Sequence, residues 1–340
     1  MIDLKDLTFD ELELFLKENG EPKFRAKQIF SWLHKGVVSF EEMTDISKRT
    51  AQTLSEKCFI SKLGIREKYV SKIDGTVKYL FSLEDGNCIE SVVMRYKHGL
   101  SLCISSQVGC RMGCGFCAST IGGLYRNLTA GEILNQVIFA KKDVGERISN
   151  IVMMGIGEPL DNYDNVIKFL HNVNNPHGLN IGYRHISLST CGRVDGIYRL
   201  AEEELPVTLS VSLHAPNDEI RNAIMPVNRK YPVDKLIKAC RDYIKKTSRR
   251  ISFEYSLISG VNDSTENAKE LAGLLKGMLC HVNLIPVNHV EERDFHKGKR
   301  EDIERFARTL NNLGINATIR RELGSDISAS CGQLRKKVLE

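Results

Sequence analysis

The stretch CISSQVGCRMGCGFC, residues 103–117, holds four of the ten cysteines of this 340-residue chain. Three of them, Cys110, Cys114 and Cys117, follow the spacing C-x3-C-x2-C, and three glycines within residues 109–115 permit a tight backbone path. Structural zinc sites use four tetrahedral ligands, so three thiols without a convincing fourth ligand fit zinc poorly. A 4Fe-4S cube held by three cysteines leaves one iron open to a small molecule. The spacing therefore favours such a cluster.

After residue 100 the chain alternates between apolar β-rich runs and amphipathic helical patterns. This alternation indicates parallel strands covered by helices, in a barrel or an open sheet. Six units fall short of the usual eight of a closed barrel, so we predict an α/β fold with a partial (β/α)6 barrel. The units, strand then helix, are LCISS with TAGEILNQVIFAKK, NIVMMG with YDNVIKFLHNV, RHISLST with VDGIYRLAEE, PVTLSVSLH with VDKLIKACRDYIKK, RISFEYSLI with TENAKELAGLLKG, and HVNLIPV with KREDIERFARTLNNLG, before a short strand, ATIRR.

Three parts are predicted along the chain. Residues 1–60 contain the helical patterns FDELELFLKEN, PKFRAKQIFSWLHKG and SKRTAQTLSEK, which indicate a small helical domain. Residues 61–98 contain β-rich runs split by Asp74-Gly75 and Asp85-Gly86, as in a meander of hairpins, and are predicted to be a connector packed on the larger part. Residues 99–335 form the barrel with a C-terminal loop.

The unusual residues follow the predicted barrel strands. In parallel α/β folds, functional groups gather at the carboxyl ends of the strands. We therefore expect the site at this edge of the sheet. The residues concerned are the cysteine loop after the first strand, GIGEP (155–159) after the second, Ser189 to Gly192 after the third, SLH (212–214) after the fourth, and Asn288 after the sixth.

The composition is that of an ordinary globular protein, with 42% hydrophobic residues and a net charge of +5. The opening MIDLKDLTFDELELFLKENG is charged throughout, and no apolar run approaches the roughly 20 residues of a membrane span, so neither a signal peptide nor a membrane helix is expected. A cytoplasmic protein is expected, in which clustered cysteines indicate metal binding or catalysis. The charge permits a nucleic-acid partner but does not require one.

The cysteine spacing, the barrel pattern and GIGEP, in this order, resemble the radical S-adenosylmethionine (SAM) superfamily. The resemblance implies that the open iron chelates the amino and carboxylate groups of SAM. It also implies that electron transfer from the cluster cleaves SAM to a 5'-deoxyadenosyl radical. Gly157 and Glu158 match the motif that binds the SAM amino group.

The chain as a whole, from about residue 5 to residue 335, resembles one family, the dual-specificity adenine-C2 methyltransferases of 23S ribosomal RNA (rRNA) and transfer RNA (tRNA). This implies methylation of carbon 2 of an adenosine in the peptidyl-transferase centre of 23S rRNA and of the adenosine 3' to the anticodon in tRNA. The motifs that carry the resemblance are GEPKFRAKQIFSWLHKG, FEEMTDIS, LCISSQVGC, GIGEPL, SLHAPND, NLIPVN and DISASCGQL.

The resemblance also implies a mechanism, because carbon 2 of adenine is electron-poor and lacks the lone pair needed for direct displacement of a methyl group. One SAM methylates Cys331, and a second SAM is cleaved at the cluster, so two are used per turnover. The radical removes a hydrogen from the S-methyl group, and the resulting methylene adds to the base. Cys103 then attacks Cys331 to form a disulfide and release the product. Glu90, in CIESVV, accepts the proton from carbon 2.

Further residues and partners are implied by the family. Ser189, Ser212, Leu213, His214 and Asn288 match SAM-contacting positions, and their polar groups suit the ribose and carboxylate. The implied partners are 23S rRNA, tRNA and an electron donor such as flavodoxin or ferredoxin, with no membrane. Candidate phosphate contacts are Lys23, Arg25 and Lys27, then Lys245, Lys246, Arg249 and Arg250, then Lys297, Lys299 and Arg300.

For four of these residues an ordinary structural interpretation stays open. Without the family, Glu90 would be a solvated edge residue, His214 a packed loop histidine, and Cys103 and Cys331 small buried residues. Three other functions are also open: a sister enzyme that methylates carbon 8 of the same ribosomal adenine, a glycyl-radical activase, and a non-catalytic zinc module that binds RNA. Pro159 in GEPL and the motif MTDIS favour the carbon-2 enzyme over the carbon-8 enzyme.

Overall fold

A mixed sheet of ten strands dominates the computed structural model, which describes residues 1–334. The strands are β1 (Ile2–Asp3), β2 (Cys58–Phe59), β3 (Gly64–Val70), β4 (Val77–Ser82), β5 (Cys88–Tyr96), β6 (Gly99–Cys103), β7 (Gln107–Gly109), β8 (Leu124–Asn127), β9 (Ile148–Met153), β10 (Ile186–Thr190), β11 (Thr208–Ser212), β12 (Ile251–Leu257), β13 (Cys280–Pro286) and β14 (Ala317–Ile319). The order across the ten-stranded sheet, from edge to edge, is β14, β13, β12, β11, β10, β9, β6, β5, β4, β3. Outside this sheet, β1 pairs with β2 and β7 pairs with β8.

Helices cover the sheet and connect its parallel strands. They are α1 (Phe9–Glu18), α2 (Phe24–Lys35), α3 (Lys48–Ser55), α4 (Ala130–Val144), α5 (Tyr163–Asn174), α6 (Val194–Glu202), α7 (Asp218–Ile224), α8 (Val233–Thr247), α9 (Thr265–Leu275) and α10 (Arg300–Asn312). Among residues 1–334, none of these helices combines the length and the apolar character needed to cross a membrane.

Strands β6 and β9 to β14 run parallel, and each lies beside the next in chain order. Six helical crossovers link these seven strands, which is the predicted (β/α)6 arrangement. Each strand contributes apolar side chains to one continuous core, for example Leu102, Ile151, Leu188, Leu209 and Phe253, all with no exposed surface. Burial of such a side chain stabilises the fold by about 1.5–3 kcal/mol.

The predicted helices of residues 1–60 form, and they bury a hydrophobic core of their own. Thr8 caps α1 by accepting a hydrogen bond from the Glu11 amide, while the Glu11 carboxylate accepts one from the Thr8 amide. The buried Lys5 ammonium reaches the barrel, where it donates to Asn135 on α4 at 2.8 Å. The boundary of this part at residue 60 stays a prediction.

The connector shares the barrel's sheet. Strands β3, β4 and β5 form the predicted antiparallel hairpins, with Gly75 and Gly86 at positive φ in the two turns. Strand β5 then pairs antiparallel with β6, the first barrel strand. This pairing satisfies the backbone groups that β6 would otherwise expose at a sheet edge. It also places Glu90, on β5, directly beside the barrel.

Candidate active site

The cysteine loop lies between β7 and β8, which pair as a two-stranded ribbon. Gly109 has φ +77°, and a Cβ at this position would lie 2.0 Å from the Gly123 carbonyl oxygen, so only glycine fits. The amide of Cys110 donates to that same oxygen at 3.0 Å. Further along, the amide of Cys117 donates to the Cys114 carbonyl at 3.2 Å. Backbone hydrogen bonds within the loop thus fix the paths of the three cysteines.

The three loop cysteines line one cavity at the carboxyl end of the parallel strands. The cavity contains about 920 Å³ of space, part of it open to solvent. Leu213 is not among its lining residues, since it is fully buried and its amide donates to the Glu254 carbonyl at 3.0 Å. The other predicted site residues that line the cavity are Gly157, Glu158, Ser189, Ser212, His214, Asn288 and Cys331.

The surroundings of the loop thiols are apolar. Burial raises the pKa of Cys110 to about 12 and raises the pKa values of Cys114 and Cys117 as well. Met225 and Ile258, both with no exposed surface, pack around them. A thiol in such surroundings ionises only when positive charge is brought close to it.

Glu158 joins two of the strand-end loops. Its carboxylate accepts hydrogen bonds from the amide of Leu160 at 3.0 Å and from the amide of Cys191 at 2.6 Å. Burial raises the pKa of Glu158, and these hydrogen bonds act in the opposite direction. Gly157 precedes it with φ +108°, where a Cβ would lie 2.6 Å from the Gln107 side chain. The GIGEP loop therefore approaches its neighbours too closely for a larger residue.

His214 is both packed and aimed at the cavity. It is buried, with φ +57°, and burial lowers its pKa to about 3, so the ring is neutral. Its Nδ1 accepts a hydrogen bond from the amide of Ser256 at 2.8 Å, which assigns the ring proton to Nε2. The Phe116 ring, next to Cys117, contacts it edge-on. The structure thus supports the interpretation of His214 as a packed histidine, and it also shows that His214 lines the cavity.

Cys331 lies where the first cavity meets a second, which contains about 580 Å³ of space and which Cys103 also lines. The side-chain amide of Asn288 donates to the Cys331 carbonyl at 2.9 Å. Burial, and then the neighbouring Cys331, raise the pKa of Cys103 to about 12, while Arg320 opposes the rise. The fold therefore brings together Cys103, at the end of the first barrel strand, and Cys331, which follows the last barrel strand.

Glu90 is not part of either cavity. It lines a third one, of about 1490 Å³ including open solvent, together with Lys78 and the backbone around Ser328. The side chain of Glu90 is 3% exposed and pairs with Lys78 at 3.4 Å. The interpretation of Glu90 as a solvated edge residue is therefore wrong, because β5 pairs on both sides and is an inner strand.

Comparisons with known proteins cover the whole chain. Residues 104–272 match the family model of the radical SAM superfamily, and residues 2–60 match that of the ribosomal RNA large subunit methyltransferase N-terminal domain. The chain is 58% identical over 339 residues to a probable dual-specificity RNA methyltransferase RlmN from Alkaliphilus oremlandii (strain OhILAs), covering 100% of this chain and 99% of the relative. The chain belongs to the RlmN family.

Other relatives agree with this assignment. A probable dual-specificity RNA methyltransferase RlmN from Clostridium novyi (strain NT) is 56% identical over 340 residues, covering 100% of this chain and 99% of the relative. The crystal structure of a radical SAM methyltransferase from Sphaerobacter thermophilus is 46% identical and superposes with a TM-score of 0.93, covering 98% of this chain and 99% of that one. The prediction of a radical SAM partial barrel is confirmed, and the RlmN assignment contradicts the zinc-module and activase alternatives.

Membership of the radical SAM superfamily implies a 4Fe-4S cluster and SAM. The residues of this RlmN family member fit both groups: three thiols share a cavity in which ionisation requires nearby positive charge, as iron would supply. Within residues 1–334, no three His, Cys, Asp or Glu side chains approach closely enough to hold a single metal ion. A cluster differs from such a site because each of its irons takes its own thiolate.

Five of the ten predicted RNA contacts of this RlmN family member form ion pairs with carboxylates. Lys23 lies 3.4 Å from Glu13, and Lys297 lies 2.7 Å from Glu322. Arg300 pairs with a glutamate one turn along α10. Such exposed pairs are weak, so phosphates could displace the carboxylates. The assignment of these residues to RNA stays a prediction.

Three charged residues near the cavities escaped prediction. Arg221, fully buried, donates to the carbonyls of Cys191, Ser212 and Leu213 and so ties two strand-end loops together. Glu254, also buried, lines the first cavity. Arg320 lines the second cavity, and Cys331 is the main cause that raises its pKa. Glu254 and Arg320 lie within the predicted strands RISFEYSLI and ATIRR, where a charged residue in an apolar run was a signal that could have found them, whereas Arg221 lies in a polar stretch and only its burial reveals it.

Proposed function

We propose that this RlmN family member methylates carbon 2 of adenosine in 23S rRNA and in tRNA, with Cys331 as methyl carrier, Cys103 as resolving thiol and Glu90 as proton acceptor. One observation carries the proposal. Cys331 lines both the cavity of the three loop cysteines and the cavity of Cys103. A carrier must meet the methyl donor on one side and the resolving thiol on the other, and this position allows both.

The reaction needs a radical, since carbon 2 offers no lone pair to displace a methyl group. When bound, the cluster and two SAM molecules per turnover would supply the methyl group and the carbon radical that activates it, with an electron from a donor such as flavodoxin or ferredoxin. Residues Ser189, Ser212, His214 and Asn288 would orient SAM through hydroxyl, imidazole and amide groups that line the first cavity.

Cys331 accepts the methyl group on its sulfur, so that an S–CH3 bond forms and the thiol proton is lost. After one hydrogen atom is removed, the sulfur-bound CH2 adds to carbon 2 and joins the chain to the RNA. Glu90 then takes the proton from carbon 2. The 3%-exposed Glu90 side chain lies in a protected site where proton transfer does not compete with bulk water.

Cys103 completes the reaction as its sulfur attacks the sulfur of Cys331 and its thiol proton is released. The S–S bond forms, the S–CH2 bond breaks, and the CH2 group takes up a proton to become the methyl product. The two sulfurs supply the two electrons for this cleavage, and the single electron that began the reaction would return to the cluster. A dithiol reductant would return both cysteines to thiols. The neighbouring positions of Cys103 and Cys331 in the second cavity support this step.

The test uses anaerobically reconstituted protein, a 23S rRNA fragment and SAM labelled with CD3. We expect intact-mass analysis to find one methyl group on Cys331, and the RNA to gain CD2H at carbon 2. Cys103→Ala should accumulate a covalent RNA adduct. A methyl group at carbon 8 alone would favour the sister activity, and CD3 transferred intact would contradict the carrier mechanism. Full turnover by Cys331→Ala would also contradict it.

A further inference from the structure

Lys78, on β4, is a buried amine at the meeting point of two distant parts of the chain. Its side chain is 9% exposed, and its Nζ lies 3.4 Å from Oε1 of Glu90 on β5. The same nitrogen donates to the backbone carbonyl of Ser328 at 3.2 Å. The Tyr69 ring from β3 lies beneath it, with its centroid 5.3 Å away. One ammonium thus contacts the proposed proton acceptor and the chain that leads to Cys331.

Residues 323–334, the carrier segment, form the wall between the cavities. Cys331 and Gly332 line the first cavity, Cys331 also lines the second, and Ser328 lines the third, where Glu90 lies. The carboxylate of Glu90 and the sulfur of Cys331 therefore lie on different sides of this wall. The position of this segment therefore determines how close Cys331 comes to Glu90, and both have to act on one adenine.

A buried charge is stable only when it is paired and hydrogen-bonded. Lys78 can supply both an opposite charge and a hydrogen bond to Glu90, because an ammonium carries a full positive charge and has three N–H donors. Its contact with Ser328 uses one donor on a carbonyl that belongs to the carrier segment. The pairing therefore couples the Glu90 carboxylate to the position of that segment.

We propose that Lys78 is a positioning residue that pairs with Glu90 and fastens the carrier segment to β4. This role rests on the proposed function, in which Glu90 accepts the proton from carbon 2. Lys78 does not contact the loop cysteines or line the first cavity. Its loss should therefore spare the methylation of Cys331 and impair only the later removal of the proton and release of the RNA.

The experiment follows a single turnover of the full-length, reconstituted protein on end-labelled RNA. Intact mass reports methylation of Cys331, and a denaturing gel reports the covalent RNA adduct. For Lys78→Met we expect wild-type methylation of Cys331 and adduct release at pH 7 slowed about ten-fold or more. Glu90→Gln should slow release by about a hundred-fold. Lys68→Met is the control, because Lys68 pairs with Asp143 in the same sheet, away from the carrier segment.

Two further readouts separate this role from a merely structural one. Lys78→Arg, which keeps a positive charge and N–H donors beside Glu90, should restore part of the release rate that Lys78→Met loses. Hydrogen exchange in residues 324–334 should rise in Lys78→Met but not in Glu90→Gln, which keeps the contact between Lys78 and Ser328.

Each outcome supports or overturns the proposed role of Lys78. Wild-type release together with wild-type exchange in Lys78→Met would overturn the role of Lys78. Loss of Cys331 methylation in that variant would also overturn it, because it indicates general damage, and so would release by Lys78→Arg as slow as release by Lys78→Met. Fast release by Glu90→Gln would instead refute the proposed function of Glu90. In that case the exchange of residues 324–334 alone would decide whether Lys78 fastens the carrier segment.

Discussion

The cysteine loop and the carrier segment meet at the same cavity but are held in opposite ways. The loop lies between the paired strands β7 and β8, and the amides of Cys110 and Cys117 bond to carbonyls of the same stretch, although the Gly115 amide reaches the Ile224 carbonyl. The carrier segment contains only a single short 3-10 turn, Ser325–Ile327. Most of its anchors come from elsewhere: Asp74, Lys78, Ala118 and Asn288 each make a hydrogen bond to its backbone.

The difference shows how one site can combine a fixed part with a releasable part. A cofactor loop has to keep three thiols at constant spacing, and a local backbone network does this irrespective of the substrate. A carrier has to present one sulfur to partners in two cavities. Separate hydrogen bonds, each worth about 1 kcal/mol, can be broken one at a time without unfolding the barrel.

The largest expected effect separates the two regions by their chemistry. Cys114→Ala should lose iron and sulfide and, with them, every step of the methylation reaction. Cys331→Ala should keep the iron and sulfide content yet methylate no RNA. Cys280→Ala, at the start of β13, is the control and should retain both properties. Iron and sulfide assays and mass spectrometry of the RNA provide the measurements, and RNA methylation by Cys331→Ala would refute the carrier role.

The next effect concerns the rigidity of the loop. Gly109→Ala should destabilise the protein by about 3 kcal/mol or more and lower its iron content, because the new Cβ would lie 2.0 Å from the Gly123 carbonyl oxygen. Gly122→Ala is the matched control, with φ +86° and no neighbour within 4 Å. It should cost only about 1–2 kcal/mol. Thermal unfolding checks both, and equal losses would show that the close contact is unimportant.

A smaller effect should appear when one anchor of the carrier segment is removed. Asn288→Ala loses the hydrogen bond to the Cys331 carbonyl, worth about 1 kcal/mol, so amide exchange in residues 329–334 should rise about five-fold. Exchange in the cysteine loop should not change. Asn311→Ala, which removes a similar amide bond at the end of α10, should leave both regions unchanged. Faster exchange across the whole barrel would mean that the segment is not an independent unit.

The smallest expected effect is a loss of stability of the carrier segment at low pH. Burial would raise the pKa of Asp74, but hydrogen bonds from Thr76 and the Gly324 amide lower it below its ordinary 3.8. A hydrogen bond from Ser71 and another from the Lys72 amide lower the pKa of Asp326. The stabilisation is therefore complete above about pH 4 and is lost as the pH falls through the lowered values.

Acidification should accordingly loosen the carrier segment before the cysteine loop. The measurement is hydrogen exchange, with each rate divided by the intrinsic rate at the same pH. The double variant Asp74→Asn and Asp326→Asn should lose this pH dependence. If both regions loosen at the same pH in the unaltered chain, the two aspartates do not control the segment.

Several features could be predicted because they depend on neighbours in sequence. Apolar periodicity placed the helices and parallel strands correctly, since it determines which face of each element is buried. The Asp-Gly pairs located the hairpin turns. The ribbon of β7 and β8 was missed, because three- and four-residue strands have too short a pattern. The burial of Glu90 was also missed, because it depends on β5 acquiring a partner on each side.

The sequence by itself determined the cysteine spacing, the order of strands and helices, and the resemblance that named the candidate residues. Each of these is written in short segments whose chemistry does not depend on distant contacts. Only the tertiary structure decided that Cys331 lies between two cavities, that Glu90 lies in a third, and that Lys78 contacts both Glu90 and the carrier segment. Such contacts arise when the sheet closes around its core, and burial then sets the charge and hydrogen bonding of residues that look ordinary in sequence.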